Sequence, residues 1–207
     1  MNTSTISIWP FVAAMATVVV ASNILVQYPF GHFGLQDLLT WGAFTYPIAF
    51  LVNDLTNRRF GKEAARKVVL AGFALAVVLS IWLATPRIAI ASGSAFLVAQ
   101  LLDTQIFDRL RHDAWWKPPL VSTVIGSVVD TVLFFSLAFA ASFAFLDTGF
   151  GMEDGSLGFA VPFFGTEVPL WVSLALGDFC VKMLVGLVML APYGVLLSVL
   201  KPAAARG

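Results

Sequence analysis

The sequence predicts an all-α, polytopic membrane protein that forms a single domain over residues 1–207. Of its residues, 59% are hydrophobic and 12% are charged, and the mean hydropathy is +0.89. A soluble domain of this length needs a larger polar surface. The apolar residues are grouped in long segments, and a helix needs about 20 mostly apolar residues to cross a bilayer. We therefore expect the chain to lie within a membrane.

Six transmembrane helices are predicted, at residues 8–28, 38–55, 68–85, 88–107, 120–146 and 170–200. The second is the weakest segment, because Pro47 interrupts it and Asn53 and Asp54 enter its end. The fifth and sixth are longer than a perpendicular span needs, so they are expected to tilt or to kink, the sixth at Pro192. The Gly-rich stretch between them, residues 147–169, is expected to form a re-entrant or capping segment.

The basic residues predict the orientation of the helices. Five follow the second segment (Arg58, Arg59, Lys62, Arg66, Lys67), three follow the fourth (Arg109, Arg111, Lys117) and two lie in the tail (Lys201, Arg206). These loops and the tail lie on one side of the membrane, whereas Arg87 and the acidic 147–169 stretch lie on the other. Cytoplasmic loops carry an excess of Lys and Arg, so both termini are expected in the cytoplasm.

Several classes of protein are disfavoured by what the sequence lacks. Cys180 is the only cysteine, and both histidines fall in expected loops, so neither a disulfide nor a Cys/His zinc site is expected. The sequence contains no Gly-x-Ser-x-Gly or His-Glu-x-x-His motif and no nucleotide-binding loop. Residues Gly177-Asp178 lack the first glycine of the Gly-x-Gly-Asp pattern of intramembrane aspartyl proteases. An enzyme is therefore not expected, nor is a cofactor, a metal or a nucleic-acid partner.

Carboxylates inside the apolar segments are the clearest functional signal. The pattern Asp-Thr-x-x-Phe occurs twice, from Asp103 to Phe107 and from Asp130 to Phe134. On insertion scales, a carboxylate at the centre of a membrane helix costs about 2.5–3.5 kcal/mol. Each aspartate is therefore a candidate for function rather than for stability.

Further polar and aromatic residues share helix faces with these carboxylates, because positions three or four apart lie on one side of a helix. The candidate substrate-binding residues are Asn23, Gln27, Phe96, Gln100, Asp103, Phe107, Asp130, Phe134, Asp178 and Lys182. Asp130 and Asp178 are expected near the middle of the bilayer, and Asp103 towards its cytoplasmic third. This offset favours Asp130 for substrate binding and Asp103 for an inner gate.

Structural roles stay open for most of these groups. Asp178 and Lys182 could form an ion pair within one helix. Asn23 and Gln27 could form hydrogen bonds between helices, and Asp103 could cap its helix or pair with Arg109. Such a role fits Asp130 least well, because no basic residue lies within two turns of it on its own helix.

Binding of a nitrogen heterocycle fits this set of side chains. A carboxylate can accept two parallel hydrogen bonds from an amidine-like edge, such as the ring N–H and amino group of guanine. Asn or Gln can complement a ring carbonyl, and an aromatic side chain can stack on the base for about 1–3 kcal/mol. A membrane carboxylate can instead carry a coupling proton.

Several motifs together resemble those of one known family. They are Ser22-Asn23, TYPIAFLVNDLTNRRFGKEAAR, AFLVAQLLDTQIF, STVIGSVVDTVLFFSLAF and GDFCVKMLVGLVMLAPY, in this order. They resemble the queuosine-precursor transporter family, also called the vitamin-uptake-transporter family, from about residue 22 to residue 193. The resemblance implies a six-helix protein of the bacterial cytoplasmic membrane that imports 7-cyano-7-deazaguanine or its aminomethyl relative. It also implies a distant similarity to the substrate-binding subunits of energy-coupling-factor transporters.

The resemblance also assigns polar positions on this chain. These are Asn23, Asn53, Asp54, Gln100, Asp103, Asp130, Asp178 and Lys182. The chain departs from the family at Arg58, where many members have an acidic residue. The alternative function is a substrate-binding subunit that needs a separate ATPase module, and an enzyme or a structural protein is a weaker rival. The expected partners are a deazapurine and the lipid bilayer, and assembly into a homo-oligomer stays open.

Overall fold

The structure is a computed structural model that describes residues 7–33, 39–163 and 165–199, and it consists mainly of helices. The helices are α1 (Trp9–Leu25), α2 (Gly42–Thr45), α3 (Ile48–Phe60), α4 (Lys62–Leu83), α5 (Pro86–Leu110), α6 (Lys117–Phe139), α7 (Phe145–Thr148) and α8 (Leu170–Val199). A short 3-10 helix, Ala141–Phe143, precedes α7. Strands β1 (Ala160–Phe163) and β2 (Thr166–Pro169) form an antiparallel hairpin in which Ala160 pairs with Pro169 and Phe163 with Thr166.

Prolines and one glycine determine where several helices begin and end. Pro10, Pro86 and Pro118 occupy the first turns of α1, α5 and α6, where a missing N–H costs nothing. Gly61, with φ of +86°, is the only residue between α3 and α4. A glycine adopts this left-handed conformation without a steric penalty, so the chain can end one helix and start the next there.

The structure supports four of the six predicted transmembrane helices. Within the described ranges, α4, α5, α6 and α8 are long and apolar enough to cross a membrane. α1 is apolar but has 17 residues, and α3 has 13. The chain is thus a multi-pass membrane protein, and six spans remain a prediction.

The second predicted segment is wrong in its boundaries. Residues 42–60 form the short helix α2 and then α3, and Leu38 lies outside the described residues. Asn53 and Asp54 consequently lie in the middle of α3, where both are buried. The basic stretch expected to be a loop instead forms the end of α3, Gly61 and the first turns of α4, because its Arg, Lys, Glu and Ala residues are good helix formers.

Other boundaries also differ from the prediction. α1 ends at Leu25, so Gln27 lies beyond it, and α6 ends at Phe139 before the 3-10 helix and α7. The 147–169 stretch contains the short β1–β2 hairpin, an addition to the otherwise helical fold. Gly165, with φ of +85°, allows the chain to reverse there. α8 runs unbroken through Pro192. The tail from residue 200, with Lys201 and Arg206, lies outside the described residues.

The apolar core lies where α1, α3, α4 and α5 meet. Its buried residues include Met15 of α1, Val52 of α3, Val68 of α4 and Phe96 of α5. α5 and α6 form the most extensively packed helix pair. On the outside, large apolar side chains such as Trp82 and Val195 are exposed, as a lipid-facing surface requires.

A buried arginine attaches the loop after α6 to the end of the bundle. Arg87 is 1% exposed, and its Nη1 lies 2.7 Å from Asp147 Oδ2. Its Nε and Nη2 donate to the carbonyls of Leu137 and Ala140, at 2.8 and 2.7 Å. The hydrogen bond from Arg87, followed by one from the Gly155 N–H, holds the pKa of Asp147 below its usual value. The sequence marked Arg87 only as a basic residue on the outer side.

Candidate functional site

An ion cluster joins α6 to α8. It consists of Asp130, Asp178 and Lys182, whose side chains are 4%, 14% and 4% exposed. Lys182 Nζ lies 2.6 Å from Asp130 Oδ2 and also contacts the Asp178 carboxylate. Thr131 donates to Asp178 at 3.1 Å. The intrahelical pair considered from the sequence is therefore part of a larger cluster, with one ammonium facing two carboxylates.

Tyr46 connects the ion cluster to the inside of the bundle, and sequence reasoning missed it. Its hydroxyl donates to Asp130 Oδ1 at 3.2 Å, and Lys182 Nζ lies 5.7 Å from its ring centroid. Its ring meets that of Phe96 edge-on, with centroids 6.0 Å apart. The hydroxyl of a tyrosine in an apolar segment needs a hydrogen-bond partner, and this requirement could have identified Tyr46 from the sequence.

A small cavity lies on the other side of Tyr46, between α1, α3, α4 and α5. Its volume is about 30 Å³, and it is lined by Val18, Val19, Ser22, Asn23, Tyr46, Ala49, Ala76, Ser92 and Phe96. On this measure one water molecule needs about 10–15 Å³, so the cavity holds very few waters and cannot hold a bicyclic base as it stands. Binding a ligand of that size requires the surrounding helices to move apart.

Gln100 is a buried amide without side-chain partners. Its residue is 0% exposed, and neither Nε2 nor Oε1 forms a hydrogen bond within the described part of the chain. It lies one turn from Phe96 and three residues before Asp103 on α5. Leaving buried polar groups unpaired costs about 1–3 kcal/mol. An amide presents a donor and an acceptor side by side, so a ligand with the complementary edge would remove this cost.

A carboxyl pair, Asp54 and Asp103, lies between α3 and α5. The residues are 2% and 0% exposed, and their carboxyl groups are within hydrogen-bonding reach of each other. Asn53 Nδ2 donates to Asp103 Oδ2 at 2.9 Å, and Ser122 Oγ donates to Asp54 Oδ1 at 3.4 Å. Asp103 Oδ1 has no side-chain donor among the described residues. Pairing of Asp103 with Arg109, considered from the sequence, is not seen.

The carboxyl pair and the ion cluster lie at different levels of the bundle. α3 pairs with α6 in opposite directions, since Tyr46 contacts Asp130 and Asp54 contacts Ser122. Eight residues separate the two contacts along the chain in each case, and on α6 this corresponds to about 12 Å at 1.5 Å per residue. The two Asp-Thr motifs are thus offset, in agreement with the different depths expected from the sequence.

Phe107 belongs to a third contact, near the end of α5. The Arg58 guanidinium lies 5.2 Å from its ring centroid, and Arg58 Nε donates to the Tyr193 hydroxyl at 3.0 Å. The Phe107 and Tyr193 rings meet edge-on at 6.4 Å. Arg58 therefore lies within the helical bundle, not in the loop expected from the sequence.

The two amides of the N-terminal region have different surroundings. Asn23 lines the cavity and donates from Nδ2 to the Val19 carbonyl at 2.9 Å. Gln27 is exposed and donates to the Asn23 carbonyl at 3.2 Å. Their expected common face does not form, because α1 ends between them.

The ten substrate-binding residues predicted from the sequence thus lie in different parts of the structure. Asn23 and Phe96 line the cavity, the ion cluster adjoins it through Tyr46, and Gln100 and Asp103 lie further along α5. Phe134, four residues after Asp130 on α6, packs against Phe135 and Phe139, with ring centroids 5.1 and 6.0 Å apart. In the described ranges no cluster of three His, Cys, Asp or Glu residues could hold a metal.

Comparisons with known proteins identify the family. A family model described as "Putative vitamin uptake transporter" matches residues 40–85 and 80–196. The "Queuosine precursor transporter" of Escherichia coli (strain K12) is 36% identical, over 88% of this chain and 83% of the relative. The "Probable queuosine precursor transporter" of Haemophilus influenzae is 33% identical over the same shares, and that of Bacillus subtilis is 26% identical over 58% of this chain and 64% of the relative. No solved structure matches the chain. The resemblance seen in the sequence is confirmed, and the chain belongs to the vitamin uptake transporter family.

Proposed function

We propose that this protein imports a queuosine precursor, 7-cyano-7-deazaguanine or its aminomethyl relative, across the bacterial cytoplasmic membrane. The observation that carries the proposal is the similarity, at 36% and 33% identity over most of both chains, to proteins named queuosine precursor transporters. The buried polar groups inside an apolar bundle support it, because an imported polar ring must find hydrogen-bond partners on its way.

We propose that Asp130 accepts hydrogen bonds from the ring N–H and amino edge of the base. Its Oδ2 is held by Lys182 at 2.6 Å, whereas its Oδ1 accepts only the longer 3.2 Å bond from Tyr46. A ligand entering from the cavity displaces the Tyr46 hydroxyl and donates to Oδ1. Lys182 holds the carboxylate in its orientation during this exchange.

The remaining contacts complete the recognition of the base. The Phe96 and Tyr46 rings provide stacking surfaces beside the cavity, and Asn23 lines the opposite wall. The unpaired Gln100 amide donates to the ring carbonyl when α3 and α5 separate. Asp178 belongs to the site through Lys182, whose charge it helps to balance.

Uptake of labelled precursor by cells lacking their own transporter tests this proposal. We expect Asp130→Asn and Gln100→Leu each to lower uptake by about 10- to 100-fold. A lost hydrogen bond costs about 1.5–3 kcal/mol when one partner is charged, or when the other partner stays buried and unpaired. Asp113→Asn is the matched control, since Asp113 is exposed and pairs only with Lys117. Unchanged uptake in both Asp130→Asn and Gln100→Leu would refute this assignment of the site.

Liposomes with the purified protein alone distinguish transport from binding. Accumulation or exchange of precursor without ATP and without a second protein supports a self-sufficient transporter. Ligand-induced stabilisation without any exchange would instead indicate a substrate-binding subunit that needs an ATPase module.

A further inference from the structure

The carboxyl pair is not used by the proposed recognition of the base. Asp54 and Asp103 are almost completely buried, and the described residues place no Lys, Arg or His nitrogen within 4 Å of either carboxylate. Their hydrogen-bond donors are two neutral groups, Asn53 and Ser122. Two adjacent carboxylates in a buried, uncharged setting repel each other, so such pairs hold one proton between them.

The charged groups around the pair do not replace this proton. Arg58, one turn after Asp54 on α3, is the nearest cation, and it donates to the Tyr193 hydroxyl of α8 and to the Arg111 carbonyl that follows α5. Arg111 itself bonds to Asp108 and to the Asn57 carbonyl. α6 contributes only the neutral Ser122. Asp103 Oδ1, buried and without a donor, is the position that a shared proton would satisfy.

A small cavity lies beside Asp54 of the pair. It lies between α3, α6 and α8, has a volume of about 10 Å³, and is lined by Asp54, Thr123 and Tyr193 among others. This is close to the smallest space that holds one water molecule.

α3 connects the carboxyl pair to the substrate-binding groups. Tyr46, two residues before α3, contacts Asp130 and lines the substrate cavity, and Asp54 lies eight residues further along. A ligand that displaces Tyr46 shifts the start of α3, and a rigid helix carries that movement to Asp54. Because Asp103 belongs to α5, the same movement changes the separation of the two carboxyl groups.

From this arrangement, we propose that Asp54 and Asp103 bind the proton that drives import, in a symport of one proton with one precursor molecule. This inference rests on the proposed function. The proton and the neutral 7-cyano-7-deazaguanine enter from the same side, and both leave to the cytoplasm when the carboxyl groups separate. Each carboxyl group returns to its starting state, so no other reactant is consumed.

Proteoliposomes at zero membrane potential test the coupling. With the interior one pH unit more alkaline, wild-type protein is expected to accumulate 7-cyano-7-deazaguanine about tenfold, because one pH unit corresponds to tenfold in a one-to-one symport. A protonophore should abolish this accumulation. Asp54→Asn and Asp103→Asn are expected to retain exchange of internal for external precursor while their accumulation falls to near onefold. Asp113→Asn should accumulate precursor as the wild type does.

Three results would overturn the inference, and they are distinguishable. If the wild-type protein exchanges precursor but its accumulation of precursor does not depend on the pH gradient, proton coupling is disproved and the proposed function is unaffected. Asparagine variants that still accumulate tenfold would place the proton elsewhere. No exchange and no ligand-induced stabilisation of the wild type would refute the proposed function together with the coupling. If the variants do not fold, a pH-sensitive dye inside wild-type vesicles still tests the coupling: inward precursor movement must acidify the interior, and an unchanged internal pH would overturn the inference.

Discussion

Lys182 is held by two carboxylates, and each of them depends on it. Its ammonium contacts Asp130 and Asp178 in a setting where all three side chains are largely buried. Removing one member of such a cluster leaves an uncompensated buried charge. The free-energy cost of that charge exceeds the net contribution of the intact ion pair to stability. The cluster therefore links α6 to α8, and in the proposed site it orients Asp130 for a ligand.

Replacing Lys182 is expected to destabilise the protein strongly. We expect Lys182→Met to lower the free energy of unfolding by about 3–5 kcal/mol, because two buried carboxylates lose their shared counter-ion. The double variant Lys182→Met with Asp130→Asn should recover part of this loss. Thermal unfolding in detergent measures both, and an unchanged unfolding temperature in the single variant would contradict the role of Lys182.

Tyr46 competes with the ligand for Asp130 in the proposed site. We expect Tyr46→Phe to raise the affinity for precursor several-fold, because the ligand no longer displaces the hydroxyl bonded to Asp130 Oδ1. Ligand titration by thermal shift measures the affinity, and Tyr28→Phe, at an exposed tyrosine, is the control. A weaker affinity would show that the hydroxyl contacts the ligand directly.

At the scale of elements, close approach of helices depends on single glycines. A Cβ on Gly126 of α6 would lie 2.8 Å from Phe50 Cε1 of α3, whereas one on Gly177 of α8 would lie 3.9 Å from Leu39 Cδ2. We expect Gly126→Ala to cost about 1–3 kcal/mol through overpacking. Gly177→Ala should be neutral or stabilising by up to about 1 kcal/mol, since alanine favours helix. Equal unfolding temperatures for the two variants would contradict close α3–α6 packing.

The loop after α6 should depend on pH through Asp147. Because the folded pKa of Asp147 is lowered, chiefly by Arg87, its contribution is present above the usual carboxyl value of about 4 and is lost as the pH falls through the folded pKa. We expect Asp147→Asn to cost about 1–3 kcal/mol at pH 7, and the difference from wild type to shrink below about pH 4. Thermal unfolding from pH 7 to pH 3.5 measures this difference. Glu153→Gln is the control, since Glu153 is exposed in the same loop. A difference independent of pH would contradict the ion pair.

At the scale of the whole molecule, the orientation in the membrane can be tested by labelling. In a Cys180→Ser background, an impermeant maleimide should label Gly158→Cys in intact cells, and Asp113→Cys only after permeabilisation. The reason is that the basic residues near Asp113 favour the cytoplasmic side. Gly158 tolerates a side chain because nothing lies within 4 Å of its Cβ position. The reverse labelling pattern would invert the proposed orientation.

The whole bundle also explains why two polar sites can act together. The ion cluster and the carboxyl pair are separated by about 12 Å along α6, and α3 contacts both. Neither site occupies a large cavity, so the described conformation is closed around them. Transport then requires α3 to move relative to α5 and α6.

The sequence by itself determined the membrane class, the family and most of the polar residues. Apolar segments and intramembrane carboxylates are local properties, so Asp103, Asp130, Asp178 and Lys182 could be found without coordinates. Helix ends were harder to predict, because the chain from Asn57 to Lys67 has good helix propensity and only Gly61 interrupts it. For the same reason, Asn53 and Asp54 seemed to lie at the edge of a weak segment.

Only the tertiary structure decided which of these residues meet. Hydrogen bonds between distant helices join Tyr46 to Asp130, Lys182 to Asp130 and Asn53 to Asp103, over separations of 84, 52 and 50 residues. No pattern within one helix encodes such a pairing, because it depends on the rotation and level of each helix in the bundle. The same packing left the amide of Gln100 without a partner among the described residues, while Gln27 lies exposed beyond the end of α1.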